Sequence, residues 1–228
     1  MDAASYWVTA SLLFLTALLT ALAGRAAVRS IRTRSALELP WIGGLGFAAA
    51  AMAIESFVYV GDTAPGLLQT YVFLSAAIVG VLSLGAVHVL HRPRVERVYT
   101  AYTLAGCVLT GVLSFLLPPA PGMVVQGTIS GDPSLPLVIL SSLVTFPATA
   151  VLLTASALAL RRSRSPQTLL LIAGALILGA GGTLYIAAFP AALYYTEFVG
   201  IVLLFFGLVS LPRPSASPAR SGVPRPSP

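Results

Sequence analysis

Two glutamates of this 228-residue chain stand inside long apolar stretches. Glu55 lies in AMAIESFVYV and Glu197 in LYYTEFVGIVLLFFGL. A carboxyl group buried in a bilayer costs about 2.5–3.5 kcal/mol on insertion scales, so it normally faces other helices and marks an ion or proton path. It can accept a cation, exchange a proton, or simply hydrogen-bond a neighbouring helix. Gln69, Tyr71, Tyr185 and Tyr194 are polar residues in the same kind of surroundings. With Glu55 and Glu197 they make up the candidate ligand- or ion-binding set. Each tyrosine also has a plainer explanation, since phenol rings collect at membrane–water boundaries.

The remaining reactive side chains build no recognisable centre. His88 and His91 form an i, i+3 pair at the end of an apolar run, beside Arg92 and Arg94, and the chain has no other histidine. Its one cysteine, Cys107, rules out an intramolecular disulfide. A phosphate-cradling glycine loop, an HExxH helix, a paired-cysteine zinc pattern and a GxSxG elbow are all missing from the sequence. The glycines of AGALILGAGGT sit in an apolar run and suit helix packing. Neither an enzyme, a metal, a cofactor nor a nucleic-acid partner is expected.

Composition says what must position these residues. The chain is 57% hydrophobic and only 9% charged, far below the roughly 25% charged residues of soluble domains. Seven apolar runs are long enough to span a bilayer: Tyr6 to Ala23, Pro40 to Val60, Gly66 to Leu90, Val98 to Leu117, Leu135 to Leu160, Gln167 to Ala188 and Ala191 to Leu211. They are too long and continuous for barrel strands, so each is predicted to be helical. The expected fold is an all-α, transmembrane seven-helix bundle over residues 1–211. A Pro/Ser/Arg-rich tail, residues 212–228, is expected to be disordered.

All thirteen basic residues are arginine. They fall after the first, third and fifth runs and in the tail, whereas the alternate connections carry Asp2, Asp62 and Asp132. Positive charge stays cytoplasmic. The amino terminus is therefore expected outside and the carboxyl terminus inside a cell membrane crossed several times. Ala21-Leu22-Ala23 resembles a cleavage site, but the residues before the first run lack the positive charge of a signal peptide.

Arg25, Arg29 and Arg32 are spaced to share one face of a helical extension. That face suits anionic lipid head groups, or ordinary topology anchors with snorkelling side chains. The connection from Pro118 to Leu135 reads as a turn-rich linker, with a cap over an outward pocket as the alternative.

Glu55 and Glu197 each lie about six residues from the expected outer end of their helix, roughly 9 Å deep at 1.5 Å per residue. Gly44, Ala48, Ala51, Glu55 and Tyr59 form a small-residue stripe. So do Tyr194, Glu197, Gly200, Leu204 and Gly207, and Gly174, Gly181 and Tyr185 share a third. Small residues allow close helix packing in lipid, so both glutamates are expected to face protein. They meet if the second and seventh helices are neighbours.

Seven helices with an outside amino terminus resemble microbial rhodopsins and G-protein-coupled receptors in topology alone. A rhodopsin forms its retinal Schiff base on a lysine, and this chain has none. The segments TYVFLSAAIVGVLSLGAVHVL and LLLIAGALILGAGGTLYIAAFPAALYYTEFVGIVLLFFGLV are similar to a group of small prokaryotic integral membrane proteins of uncharacterised activity. That resemblance implies a seven-helix bundle with an acidic residue in its last helix, and no site role. Three functions fit the sequence. They are a transporter or channel for protons, cations or a small solute, an outward-facing ligand- or lipid-binding sensor, and a structural subunit of a membrane complex.

Overall fold

A run of apolar residues in lipid has no water to satisfy its peptide groups, so its hydrogen bonds must close within the segment. The computed structural model describes residues 3–33, 39–87, 90, 92–125, 127–129 and 134–163, together with 166, 169–174, 176–177, 196, 199–203 and 206. These form α1 (Ala3–Thr33), α2 (Leu39–Val60), α3 (Pro65–Val87), α4 (Pro93–Leu116), β1 (Val124–Val125), β2 (Thr128–Ile129) and α5 (Leu135–Ser163). Each of the five helices contains a stretch long and apolar enough to cross a membrane. The architecture is all-α, that of a polytopic membrane protein. The spans expected at Gln167 to Ala188 and Ala191 to Leu211 lie mostly outside the described residues, as does the tail. Within them, 169–174 and 199–203 are helical.

The helices α1 and α4 run at least five residues beyond their apolar windows. α1 continues past Ala23 to Thr33, so Arg25, Arg29 and Arg32 do ride on a helical extension. α4 begins at Pro93 rather than Val98, with proline in its first turn and Glu96 close behind. Proline fits there because the first turn needs no donor, and an acidic side chain suits the positive end of the helix dipole. Hydropathy reports where lipid ends; hydrogen bonding carries the helix on into the aqueous boundary.

α1 packs on α2, α2 on α3, α3 on both α4 and α5, and α4 on α5. The α2–α3 connection is fixed by its backbone. The Asp62 N–H donates to the Phe57 carbonyl and the Gly61 N–H to the Val58 carbonyl, both at 3.0 Å. Gly61 has φ +113°. This is the paired closure of a Schellman end, which glycine adopts without a Cβ clash. The Asp62 carboxylate then accepts the Ala64 N–H at 3.1 Å, and α3 begins one residue later at Pro65.

The connection between α4 and α5 is more than a linker. β1 and β2 pair antiparallel, Val124 with Ile129 and Val125 with Thr128. Gly127 sits 3.5 Å, measured from a Cβ built on it, from the Tyr59 ring. Met123 and Ile129 are buried in one cluster with Ala51, Ile54 and Val58 of α2, Leu68, Tyr71, Val72 and Leu74 of α3, and Leu137 of α5. Burying a side chain of that size at a water boundary contributes about 1.5–3 kcal/mol. The hairpin therefore closes one end of the bundle. That end is called the loop end below, and the opposite one, where Arg25, Arg29, Arg32, Arg94, Arg97 and Arg161 fall, the arginine end.

A second device lies in α5, which carries Pro147 in its interior. Proline has no N–H for the carbonyl four residues earlier, here that of Leu143. The Tyr102 hydroxyl of α4 donates to that carbonyl instead. Tyr102→Phe is expected to cost about 1 kcal/mol, the scale of interhelical hydrogen bonds in membranes. The same change in a Pro147→Ala background should cost far less, because an alanine at that position supplies the missing donor. Thermal unfolding of the four proteins in detergent reads the cycle, and strict additivity would contradict it.

Candidate functional site

Glu55 lies one and a half turns before the end of α2, and Tyr71 the same distance after the start of α3. The tight Gly61–Ala64 connection sets the two at matching depth on antiparallel helices. The Tyr71 hydroxyl donates to Glu55 Oε1. Glu55 is only 2% exposed, and its Oε2 has no hydrogen-bond partner among the described residues. One oxygen of the carboxyl is held by a phenol, and the other meets no polar group of the described residues. Such a group can exchange a proton or accept a cation at Oε2 while Tyr71 keeps it oriented.

The face that Glu55 occupies follows from helix geometry, at about 100° of rotation per residue. On one side of it lie Ala51, Ile54 and Val58, which pack into the cluster shared with α3, α5 and the hairpin. On the other side lie Ala48 and Met52, with Tyr59 beyond. These join Leu12, Leu15, Leu19 and Leu22 of α1. Glu55 thus sits on the seam between the two clusters. The expected stripe is confirmed, with Gly44, Ala48, Ala51 and Glu55 buried and Tyr59 half-buried.

Glu197 lies outside the described residues, as do Tyr185 and Tyr194. The segment that follows Glu197 does reach α1 or α2. Ile201 is buried in a cluster whose other buried members come only from those two helices. Gly200 and Gly174, the described small residues of the two later stripes, are buried as well.

Gln69 has another occupation. Its Nε2 donates to the Leu117 carbonyl at 2.9 Å and more weakly to the Phe115 carbonyl at 3.5 Å. These belong to the last turn of α4 and to Leu117, which caps it, where carbonyls lack partners within the helix. The amide thus pins the end of α4 to α3 and is not presented to the Glu55 carboxyl by these bonds.

Sequence reasoning missed the polar face of α4. Its buried residues are Thr103, Cys107, Thr110 and Ser114. The spacing of four, three and four residues was visible, but it carries no charge to draw attention. Beside it, Tyr99 and Ser83 share a hydrogen bond of 2.6 Å across α3 and α4. His88 and His91 are outside the described residues. Among the described residues no three His, Cys, Asp or Glu side chains gather as metal ligands.

No family model, curated protein or solved structure matches the chain. The site therefore stands on its own geometry.

Proposed function

We propose that this protein conducts or transports protons or small cations across a cell membrane, with Glu55 as a carboxylate on the path and Glu197 as its counterpart. The observation that carries the proposal is the buried Glu55 side chain, with one oxygen bonded to Tyr71 and the other without a partner among the described residues. Burying a carboxyl inside a bundle is costly, and an ionisable group placed there marks a path by default. The position on the seam supports the same reading, because two packed clusters separate more readily along their boundary than within either one.

In this reading the bundle has seven helices with its amino terminus outside, and the arginine end is cytoplasmic. Reporter fusions at residues 62, 92, 132 and 164 should then alternate between outside and inside.

Purified protein in liposomes, loaded with a pH-sensitive or sodium-sensitive dye and given a membrane potential, should show flux above that of empty vesicles. Absence of flux for protons, sodium and potassium in vesicles that contain folded protein would end the transport reading.

A further inference from the structure

Hydroxyls inside these helices mostly return to their own backbone. Thr16, Ser56, Ser83, Thr110 and Thr149 each donate to a carbonyl three or four residues earlier, at 2.6–2.9 Å. This is the ordinary way for serine or threonine to be satisfied within a helix. Ser114, one turn beyond Thr110 on the buried face of α4, makes no such bond. Its Oγ is buried and has no partner among the described residues, although the residue is 1% exposed.

Ser134 departs from habit in the same way. It immediately precedes α5, where a serine hydroxyl normally caps the first turn. Here the Ser134 carbonyl takes the Leu137 and Val138 N–H groups at 2.9 and 3.1 Å, and Pro136 has no N–H to offer. The Ser134 Oγ is buried and likewise without a partner among the described residues.

Both hydroxyls line one cavity at the loop end, roofed by Pro118, Pro119, Ala120 and Met123 and walled by Leu68 and Leu137. Its volume is about 10 Å³, the space of about one water-sized sphere. A water needs two to four polar partners and no compensating charge, and this lining is wholly uncharged.

We infer that Ser114 and Ser134 hold a single buried water that ties the end of α4 to the start of α5 beneath the hairpin. A bound water converts two unpaired hydroxyls into a bridge, and it explains why neither turns back to its own backbone. The inference is independent of the transport proposal, since it concerns the fastening of the loop rather than Glu55.

The sign of a stability change tests it. An unpaired buried hydroxyl is a burden, so its removal stabilises a protein, whereas a hydroxyl that anchors a bridging water is missed when it goes. Ser114→Ala and Ser134→Ala should each lower Tm in detergent by about 2–4 °C. The double variant should fall by less than the sum of the two, because the bridge can be lost only once. A density map at sufficient resolution should show one ordered solvent peak within hydrogen-bond distance of both Oγ atoms. A rise or no change in Tm for either single variant, or an empty cavity in the map, would overturn the inference.

Discussion

Glu55→Ala is expected to lower the thermal stability of the detergent-solubilised protein more than Glu55→Gln, while both abolish flux. Alanine removes the Glu55 Oε1 acceptor of the Tyr71 hydroxyl, a loss of about 0.5–1.5 kcal/mol. It also opens a hole on a seam bounded by packed clusters, and truncating a large buried side chain typically costs about 2–5 kcal/mol. Glutamine keeps the volume and an oxygen for Tyr71. Its penalty is confined to an amide placed where Oε2 found no partner among the described residues, again about 1–3 kcal/mol.

The two substitutions therefore separate structure from function. Equal stability of the alanine and glutamine variants would show that the Tyr71 bond contributes little to the fold. Native-like flux through Glu55→Gln, whose side chain has no proton to exchange, would remove Glu55 from any conduction path.

The other large effect lies at the arginine end of the α2–α3 pair. Gly85 faces the indole of Trp41 so closely that a Cβ would stand 2.7 Å from Cε2 and 2.8 Å from Cδ1. About one turn away, a Cβ on Gly44 would stand 2.6 Å from Leu82 Cγ. Helices in lipid associate through close packing rather than hydrophobic exclusion from water, so these contacts are where α2 and α3 hold each other. Gly85→Val drives a branched side chain into a rigid ring system. Overpacking of this kind costs about 1–3 kcal/mol and sometimes more.

Trp41→Ala should relieve much of that cost, because it removes the ring the valine strikes. The double variant should therefore melt at a higher temperature than the sum of the two single effects implies. If Gly85→Val melts with the native protein, the close contact does not hold the pair together.

Much of this fold could be read before any coordinates, because its causes are local. Apolar runs from Pro40 to Val60 and Gly66 to Leu90 have to be helical in lipid, and α2 and α3 stand there, joined through Gly61 and Asp62. The stripe from Gly44 through Glu55 announced a protein-facing side, and it is buried. What stayed hidden depended on partners distant in sequence. Gln69 looked like a site residue, yet it serves carbonyls of α4 that are 46 and 48 positions away. The role of Tyr102 requires knowing that Pro147 leaves the Leu143 carbonyl bare and that α4 passes beside it. The hairpin from Val124 to Ile129 was hidden because Pro and Gly signal a turn without saying whether the turn packs. The apolar residues Met123, Val124, Val125 and Ile129 were the clue to its burial.

The short reversal between α2 and α3 has a consequence for how such a chain enters a membrane. Glu55 and Tyr71 are separated by 16 positions, and everything needed to bring them together is contained in that stretch. The two helices can therefore insert as one unit with the carboxyl already bonded to its phenol. The least lipid-compatible residue of α2 is then matched by its immediate successor during synthesis, without waiting for α4, the hairpin or the distant end of the chain. Oε2, without a partner among the described residues, remains for later-arriving segments to meet.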